Sequence, residues 1–143
     1  MKQTLVGLAL AALVGCGGTS APTAPTGPPP PVNIAGNWTG NMASNNWPLQ
    51  AVVMTLSQSG TSVNGTWTTS TGWDGQVTGT VDTSSFTGTF TLSAPNALGV
   101  GQRCTGTASI SGSAGATLHW SGAGFTGTCN GEPLNVTFTL QRN

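Results

Sequence analysis

The sequence is poor in charge and in the side chains that usually perform catalysis. Its 143 residues include three Lys or Arg, three Asp or Glu, one His and no Tyr. So few basic side chains exclude the phosphate-binding patch on which nucleic-acid-binding proteins depend. The titratable residues beyond the N-terminal region that bear on catalysis are His119, Asp74, Asp82 and Glu132, and no spacing unites a nucleophile with a base or pairs two carboxylates. We therefore expect a protein that is not an enzyme and does not bind nucleic acid.

The first fifteen residues have the features of a secretion signal. Lys2 supplies a positive charge, and residues 5–14 form an uninterrupted apolar run, LVGLALAALV. A helix of about ten residues is too short to cross a hydrocarbon core of about 30 Å, and no second apolar run follows. Residues 1–15 are therefore predicted to be a signal peptide, and we expect no transmembrane helix.

The apolar run ends in Leu13-Val14-Gly15-Cys16, which resembles the lipobox of bacterial lipoproteins. The resemblance implies that Cys16 receives diacylglycerol, is further acylated with a fatty acid such as palmitate, and becomes the N-terminus of the mature protein. In such lipoproteins an Asp after the cysteine causes retention at the inner membrane, whereas Gly17 stands here. The resemblance therefore favours a lipid anchor in the outer membrane of the cell envelope, on its periplasmic or its surface face. An ordinary signal peptide followed by a chance cysteine is the alternative.

Residues 16–33 contain the lipidated cysteine and then a tract of Gly, Ser, Thr and Pro that ends in Pro28–Pro31 and Val32-Asn33. This composition has no apolar periodicity and is typical of a tether. A Pro-rich chain extends by about 3.1 Å per residue, so the tether could hold a domain up to roughly 50 Å from the lipid.

Residues 34–143 form one predicted domain whose apolar residues alternate with Thr, Ser, Asn and Gln. This period of two indicates strands with one buried face, and a polar opposite face argues against a membrane-spanning barrel. Short turns separate the runs and no helical stretch intervenes, so successive strands should pair as antiparallel neighbours. We predict an all-β, eight-stranded antiparallel up-and-down barrel, with a two-sheet sandwich as the alternative. The runs lie around Trp38 and at 52–56, 63–67, 77–81, 86–92, 104–110, 118–120 and 134–140.

The two cysteines of the domain are predicted to form a disulfide. If residues 122–132 are a loop, this loop lies at the barrel end where the strand beginning at Cys104 starts, so Cys129 comes within reach of Cys104. An exported protein permits the bond. Two cysteines and the distant His119 fall short of a four-ligand zinc site, so we expect neither a metal nor another cofactor.

Gly36-Asn37-Trp38 and Arg142 resemble the barrel closure of calycins, the group that contains lipocalins and avidin-like proteins. Those proteins carry a Gly-x-Trp near the start of the first strand, and an Arg or Lys of the last strand lies over that Trp. The resemblance implies a calycin-like barrel in which Arg142 covers Trp38. It does not extend to a biotin site, because the chain has no Tyr.

Five aromatic residues are candidates for a ligand site. Trp67, Phe90 and Trp120 are predicted to point inward, where glycines such as Gly79 and Gly88 either leave a cavity or let rings fill the barrel. Trp47 and Trp73 are predicted on loops at the end away from the tether. They either form a contact surface or fold down to plug the barrel.

Two functions remain open from the sequence. The first is a non-catalytic binding module for a small apolar or amphipathic ligand, which enters through the mouth of the barrel. The second is an interaction lipoprotein with a filled barrel, whose Trp47 and Trp73 end contacts an envelope protein or inhibits a protease. The two functions differ in what should occupy the space next to the inward glycines. A void there favours the binding module, and packed aromatic rings favour the interaction lipoprotein.

Overall fold

Antiparallel strands that follow one another in chain order make up the fold. The computed structural model describes residues 27–45, 47–95, 103–127 and 135–143, with the backbone alone for 124–127. Each strand pairs with the next, and the last pairs with the first, which closes the sheet. The prediction of an all-β, eight-stranded antiparallel up-and-down barrel is confirmed. The strands are β1 (Gly36–Ser44), β2 (Gln50–Ser59), β3 (Ser62–Thr69), β4 (Asp74–Val81), β5 (Ser85–Pro95), β6 (Arg103–Ser113), β7 (Thr117–Gly127) and β8 (Val136–Arg142).

The period of two places apolar side chains inside the barrel and hydroxyl-bearing side chains outside it. On β2, for example, Val52, Met54 and Leu56 are buried while the residues between them are exposed. Burial of a side chain of this kind stabilises the fold by about 1.5 to 3 kcal/mol, so a single inner face on eight strands supplies the core. Among the described residues, no helix is long and apolar enough to cross a membrane.

The seam of the barrel lies between β1 and β8. Trp38 is directly opposite Arg142 in this strand pair, and the Arg142 guanidinium lies 4.9 Å from the centroid of the fully buried Trp38 ring. Arg142 Nη2 also donates a hydrogen bond to the Asn33 carbonyl at 2.5 Å, and Trp38 Nε1 donates to the Ile34 carbonyl at 2.9 Å. The buried Ile34 side chain closes this end of the barrel, which we call the closed end.

Contacts between the N-terminal segment and the barrel begin at Val32, before the predicted start of the domain at Ile34. The Val32 amide donates to the Asp82 carbonyl at 2.8 Å, and its side chain packs on the core. The Gln58 side chain accepts from the Ile34 amide at 2.8 Å and donates to the Val32 carbonyl at 3.0 Å. The segment 32–34 is therefore held against the closed end.

Asp82 holds the turn between β4 and β5 at the same end. Its carboxylate accepts hydrogen bonds from the Ser84 amide at 2.8 Å, the Ser85 amide at 2.7 Å and the Ser85 hydroxyl at 2.7 Å. These donors favour the charged form, and they lower the pKa of Asp82 below its ordinary value, with the Ser84 amide as the largest cause. These hydrogen bonds stabilise the turn, and none of them involves another titratable group.

Two loop predictions need correction. The prediction of a loop from Gly122 onward was wrong for Gly122–Gly127, which continue β7 beside β6. Thr107 and Ser109 are two residues apart yet face Thr126 and Ala123, which are three apart, so β7 carries an extra residue in a β-bulge. The bulge breaks the period of two, which is why the sequence pattern indicated the end of a strand. The chain after the predicted run 86–92 was also expected to leave the sheet, but β5 continues through Ala94 and Pro95.

Aromatic rings occupy the space that the inward glycines leave. A methyl group placed on Gly88 would come within 2.7 Å of Phe86 Cζ, and one on Gly79 within 2.6 Å of the same atom. A methyl group on Gly122 would come within 2.6 Å of Phe90 Cε1. The glycines therefore make room for rings, which corresponds to the filled-barrel alternative.

We predict that Gly88→Ala destabilises the fold by about 1 to 3 kcal/mol, because the added methyl group overlaps both Phe86 and the Thr78 carbonyl. Gly115→Ala is the matched control, since a methyl group there meets nothing within 4 Å. Urea unfolding followed by Trp fluorescence measures both. Equal stability of the two variants would show that the Phe86 ring does not fill this space.

Candidate functional site

The end of the barrel opposite the closed end carries the connections that contain Trp47 and Trp73. Trp47 lies between β1 and β2, and Trp73 immediately precedes β4. β5 and β7 end at this same end of the barrel, and β6 and β8 begin there. We call it the open end, and it is where loop residues from separate parts of the chain meet.

A tight turn places the Trp73 ring over the open end. The Thr69 amide donates to the Trp73 carbonyl at 2.8 Å, and the Trp73 amide donates to the Thr69 hydroxyl at 3.1 Å. Gly72 has a φ of +85°, a conformation that side chains other than glycine rarely adopt. These constraints turn the Trp73 side chain inward, where it is 2% exposed. Trp73 therefore plugs the barrel.

Trp47 packs on this plug. The two ring centroids are 5.1 Å apart and the ring planes meet at 79°, an edge-to-face arrangement that aromatic pairs favour. Trp47 is partly buried against the core, so part of its surface remains accessible. The structure thus brings together the two loop tryptophans that the sequence singled out, one as a plug and the other as an accessible ring.

An apolar cleft of about 330 Å³ lies beside this pair. The Leu49 side chain at its edge is 67% exposed, and it adjoins the partly exposed Trp47, so the exposed apolar surface here is contiguous. Inside the cleft, the Thr71 hydroxyl donates to Gln50 Oε1, so these two polar groups satisfy one another. None of the described residues that line the cleft is charged. They are Trp47, Pro48, Leu49, Gln50, Thr71, Trp73 and Pro95.

Arg103, the first residue of β6, braces the turn beneath the cleft. Its Nη2 donates to the Gly72 and Ser93 carbonyls at 3.0 Å each, and its Nε donates to the Ser93 hydroxyl at 2.6 Å. Arg103 also forms an ion pair with Asp74, in which both side chains are about half exposed. An exposed ion pair contributes little to stability, so the main effect of Arg103 is to fix the turn by hydrogen bonds.

A larger groove of about 670 Å³ lies on the outer wall across β3 to β6. Hydroxyl and amide side chains dominate it, and it contains no aromatic side chain on the outer face. Such a lining is ordinary for a solvated barrel wall. The groove residues are Thr66, Trp67, Thr68, Asp74, Gly75, Gln76, Thr91, Leu92, Ser93, Thr105, Gly106 and Thr107, of which Trp67 and Leu92 are buried core residues.

Trp67, Phe90 and Trp120, the other predicted ligand residues, lie in the packed core. Trp120 stacks on Phe86 with centroids 4.2 Å apart, and its Nε1 donates to the Ser113 carbonyl at 3.0 Å. Trp67 and Phe90 both pack edge-on against Phe138, at 5.4 Å and 6.0 Å. The Trp67 indole N–H is buried, and no residue in the described ranges accepts a hydrogen bond from it. None of the three rings lines the Trp47 cleft.

The titratable residues are dispersed. His119 is exposed on the outer face of β7, Asp74 pairs with Arg103, and Asp82 holds a turn at the closed end. In the part of the chain that the structure describes, no three His, Cys, Asp or Glu side chains lie together as metal ligands. Cys104 is buried and forms no disulfide with another described residue, whereas Cys16, Cys129 and Glu132 lie outside the described residues.

Sequence reasoning missed five of the seven residues that line the cleft, which are Pro48, Leu49, Gln50, Thr71 and Pro95. Pro48 and Leu49 follow Trp47 directly, and an uncharged Trp-Pro-Leu loop could have suggested an exposed apolar surface. Pro95 comes from the far end of β5 and has no such local pattern. Comparison of the chain with known protein families, with curated proteins and with solved structures gave no match.

The two cleft tryptophans should differ in their effect on stability. Because Trp73 is a buried plug, Trp73→Ala should lower the free energy of unfolding by about 3 to 5 kcal/mol. Trp47→Ala removes a partly exposed ring and should cost less than half as much. Chemical denaturation of the two variants checks this difference. Equal losses would mean that Trp47 is as structural as Trp73.

Proposed function

We propose that the protein is a lipid-anchored lipoprotein of the bacterial outer membrane whose barrel is a non-catalytic binding module. Its binding site is the Trp47–Trp73 cleft, and its ligand is a small apolar or amphipathic molecule. The observation that carries this proposal is an uncharged apolar cleft with an accessible Trp and an exposed Leu49, built at one end of an otherwise hydroxyl-covered barrel.

The position of the cleft suits an anchored protein. The segment that leads back toward Cys16 leaves the barrel at Val32, at the closed end, and the cleft lies at the open end. A tether with a reach of up to about 50 Å would let the open end face away from the lipid. The lipid anchor itself rests on the lipobox resemblance of Leu13-Val14-Gly15-Cys16.

The barrel interior is a poor alternative site. Phe86 lies over Gly79 and Gly88, and Trp73 covers the open end, so a ligand would have to displace packed rings. Overpacking of a filled core costs about 1 to 3 kcal/mol even for small additions. We therefore assign Trp67, Phe90 and Trp120 to the core and place the ligand on the outside of the plug.

The barrel is proposed to be calycin-like. The closed eight-stranded meander and the Arg142 guanidinium over the Trp38 ring both support the resemblance. A calycin with a filled interior would differ from relatives that carry ligands inside the barrel, because its binding surface would be at the rim.

The lining chemistry defines the ligand class. A volume of about 330 Å³ is near the lower end of the range of about 300 to 1,000 Å³ that is usual for small-molecule clefts. The described lining has no charge, so the bound part of the ligand is neutral and apolar, and binding depends little on salt. Any polar head of an amphipathic ligand would extend into solvent beyond Leu49.

Contact with another envelope protein, or inhibition of a protease, is the second candidate function. The packed rings inside the barrel favour it, by the criterion that a filled barrel indicates an interaction protein. The exposure of Leu49 beside an accessible Trp also favours it, because Trp is enriched among the residues that dominate protein interfaces. In this case an apolar side chain of the partner would occupy the cleft in place of a free ligand.

An environment-sensitive apolar probe tests the small-ligand proposal. We expect saturable binding of a naphthalene sulfonate that shifts Trp emission, and about tenfold weaker binding to Trp47→Ala and Leu49→Ala, since both changes remove cleft surface. Val53→Ala is the matched control, because Val53 is an exposed apolar residue on the outer wall, away from the cleft lining.

Three other results of the probe experiment would change the assignment. Loss of binding in a folded Trp120→Ala variant, with Trp47→Ala unaffected, would place the site inside the barrel. Equal loss in Val53→Ala would indicate nonspecific adsorption. No binding to the folded wild type would remove the small-ligand proposal and leave contact with a protein partner as the function to test.

A disulfide between Cys104 and Cys129 is part of the same proposal. On the adjacent strands β6 and β7, Gly106 faces Gly127. Cys104 precedes Gly106 by two residues in the sequence, and Cys129 follows Gly127 by two residues. A disulfide requires Cα atoms about 4.4 to 6.8 Å apart, so the proposal needs both cysteines near this end of the β6 and β7 pair.

The intact mass of the mature protein, purified from membranes in detergent, tests both cysteine assignments. We expect an N-terminus at Cys16 that carries diacylglycerol and fatty acid. We also expect that alkylation of the denatured, unreduced protein adds no group, and that reduction exposes two thiols. Alkylation without reduction would refute the disulfide, and an unlipidated N-terminus at another residue would refute the anchor.

A further inference from the structure

Gln50 interrupts the apolar inner row of β2 at the open end of the barrel. Val52, Met54 and Leu56 form this row, and Gln50 takes its next inner position toward the rim. The residue is 4% exposed, and among the residues that the structure describes it is the only polar or charged one that is buried. A buried polar group is costly unless its hydrogen-bonding atoms find partners. The Gln50 carboxamide has an oxygen and an NH2 group to satisfy.

A chain of hydrogen bonds through two threonines fixes the Gln50 oxygen. The Trp73 amide donates to the Thr69 hydroxyl at 3.1 Å, and the Thr69 and Thr71 hydroxyls are 3.2 Å apart. The Thr71 hydroxyl donates its proton to Gln50 Oε1. Because the turn that places Trp73 also anchors this chain, the carboxamide is held with its oxygen toward Thr71.

The same arrangement leaves the Gln50 NH2 group unused within the described part of the chain. Gln50 Nε2 donates to none of the described residues, and it is not one of the buried nitrogen and oxygen atoms that lack a partner. The atom therefore retains accessible surface. Gln50 lines the Trp47–Trp73 cleft, so this surface opens into the cleft. The NH2 group thus offers N–H donors to a molecule bound there.

A neutral acceptor oxygen on the ligand matches this donor. A ketone, ester or amide carbonyl accepts a hydrogen bond without bringing a charge into the cleft, where none of the described lining residues is charged. A carboxylate would lose its hydration against this lining, and a ligand without an acceptor would leave the donor buried and unpaired. The cleft therefore favours a neutral carbonyl on an apolar body.

The depth of the donor favours a small molecule over a protein partner. A backbone carbonyl has chain on both sides, and the flanking residues would have to enter a cleft of about 330 Å³ together with it. A small molecule can present a carbonyl at the tip of an apolar body. It therefore reaches a residue that is 4% exposed more easily than a folded surface does.

We infer that Gln50 determines the specificity of the Trp47–Trp73 cleft, by donating a hydrogen bond from Nε2 to a neutral carbonyl oxygen of a small apolar ligand. Thr71 is the positioning residue that holds the carboxamide oxygen. The inference rests on the proposed function, because it uses the same cleft and adds one acceptor oxygen to the otherwise apolar bound part of the ligand.

Two neutral probes that differ in one carbonyl test the inference on the full-length protein in detergent, with the detergent alone as the blank. Propionyl-dimethylaminonaphthalene carries a ketone, and dimethylaminonaphthalene lacks it. We expect the preference of the wild type for the ketone probe to exceed that of a double variant, Gln50→Met with Thr71→Val, by about fivefold to tenfold. The variant loses one neutral hydrogen bond to the probe. Equal preferences, or an equal loss of affinity for both probes, would overturn the inference.

Thr71→Val alone tests the positioning role. Without the Thr71 hydroxyl the carboxamide can turn either its oxygen or its NH2 group toward the probe, so the preference for the ketone should fall by about twofold. Thr89→Val is the matched control, because Thr89 is exposed on the outer wall and is not part of the cleft lining. A wild-type preference in Thr71→Val, or the same fall in Thr89→Val, would overturn this role.

The side-chain amide resonances of Gln50 give a direct readout of the hydrogen bond. In proton–nitrogen correlation spectra, the pair of resonances that is missing from Gln50→Met belongs to Gln50. We expect the ketone probe to move a proton of this pair to lower field, because a hydrogen bond deshields the donated proton. The probe without a ketone should not cause this shift. A ketone probe that binds without moving the pair would overturn the inference.

The outcomes separate this inference from the proposed function. Binding of the naphthalene sulfonate and of both neutral probes, without a preference that depends on Gln50, would leave a ligand cleft and remove the role of Gln50. Failure of all three probes on the folded wild type would remove both. Urea unfolding followed by Trp fluorescence shows that each variant is folded before its preference is compared.

Discussion

The pairing of β1 with β8 is the constraint on which the rest of the structure depends. It turns a meander into a closed ladder, so no strand edge among β1 to β8 remains to pair with another chain. The same seam holds Trp38 beneath Arg142, where a cation over a ring contributes about 0.5 to 2 kcal/mol. Because Arg142 also binds the Asn33 carbonyl, closure of the sheet fixes where the N-terminal segment leaves the barrel.

An eight-stranded barrel can either fill its interior with side chains or enclose a small ligand, and the rings of this barrel fill it. Glycines on the inner face would ordinarily suggest space, but Phe86 lies over Gly79 and Gly88. Trp73 completes the packing from the open end. The surface of Trp47 and Leu49 that remains outside this plug is the part of the apolar rim that a ligand can reach.

The two ends of the barrel therefore differ in chemistry. The closed end carries the proline run and the path toward Cys16, while the open end carries an aromatic cleft braced by Arg103. An anchored protein with this polarity presents its cleft away from its own lipid.

The sequence by itself determined the strands, the barrel and the inner face, because the period of two is a local property that burial of one face enforces. It also singled out Trp47 and Trp73 as loop residues. Only the tertiary structure decided that Trp73 is the plug, that β7 continues past a bulge to Gly127, and that Pro95 joins the cleft. These features depend on contacts between residues far apart in the chain, which closure of the barrel brings together and no local pattern encodes.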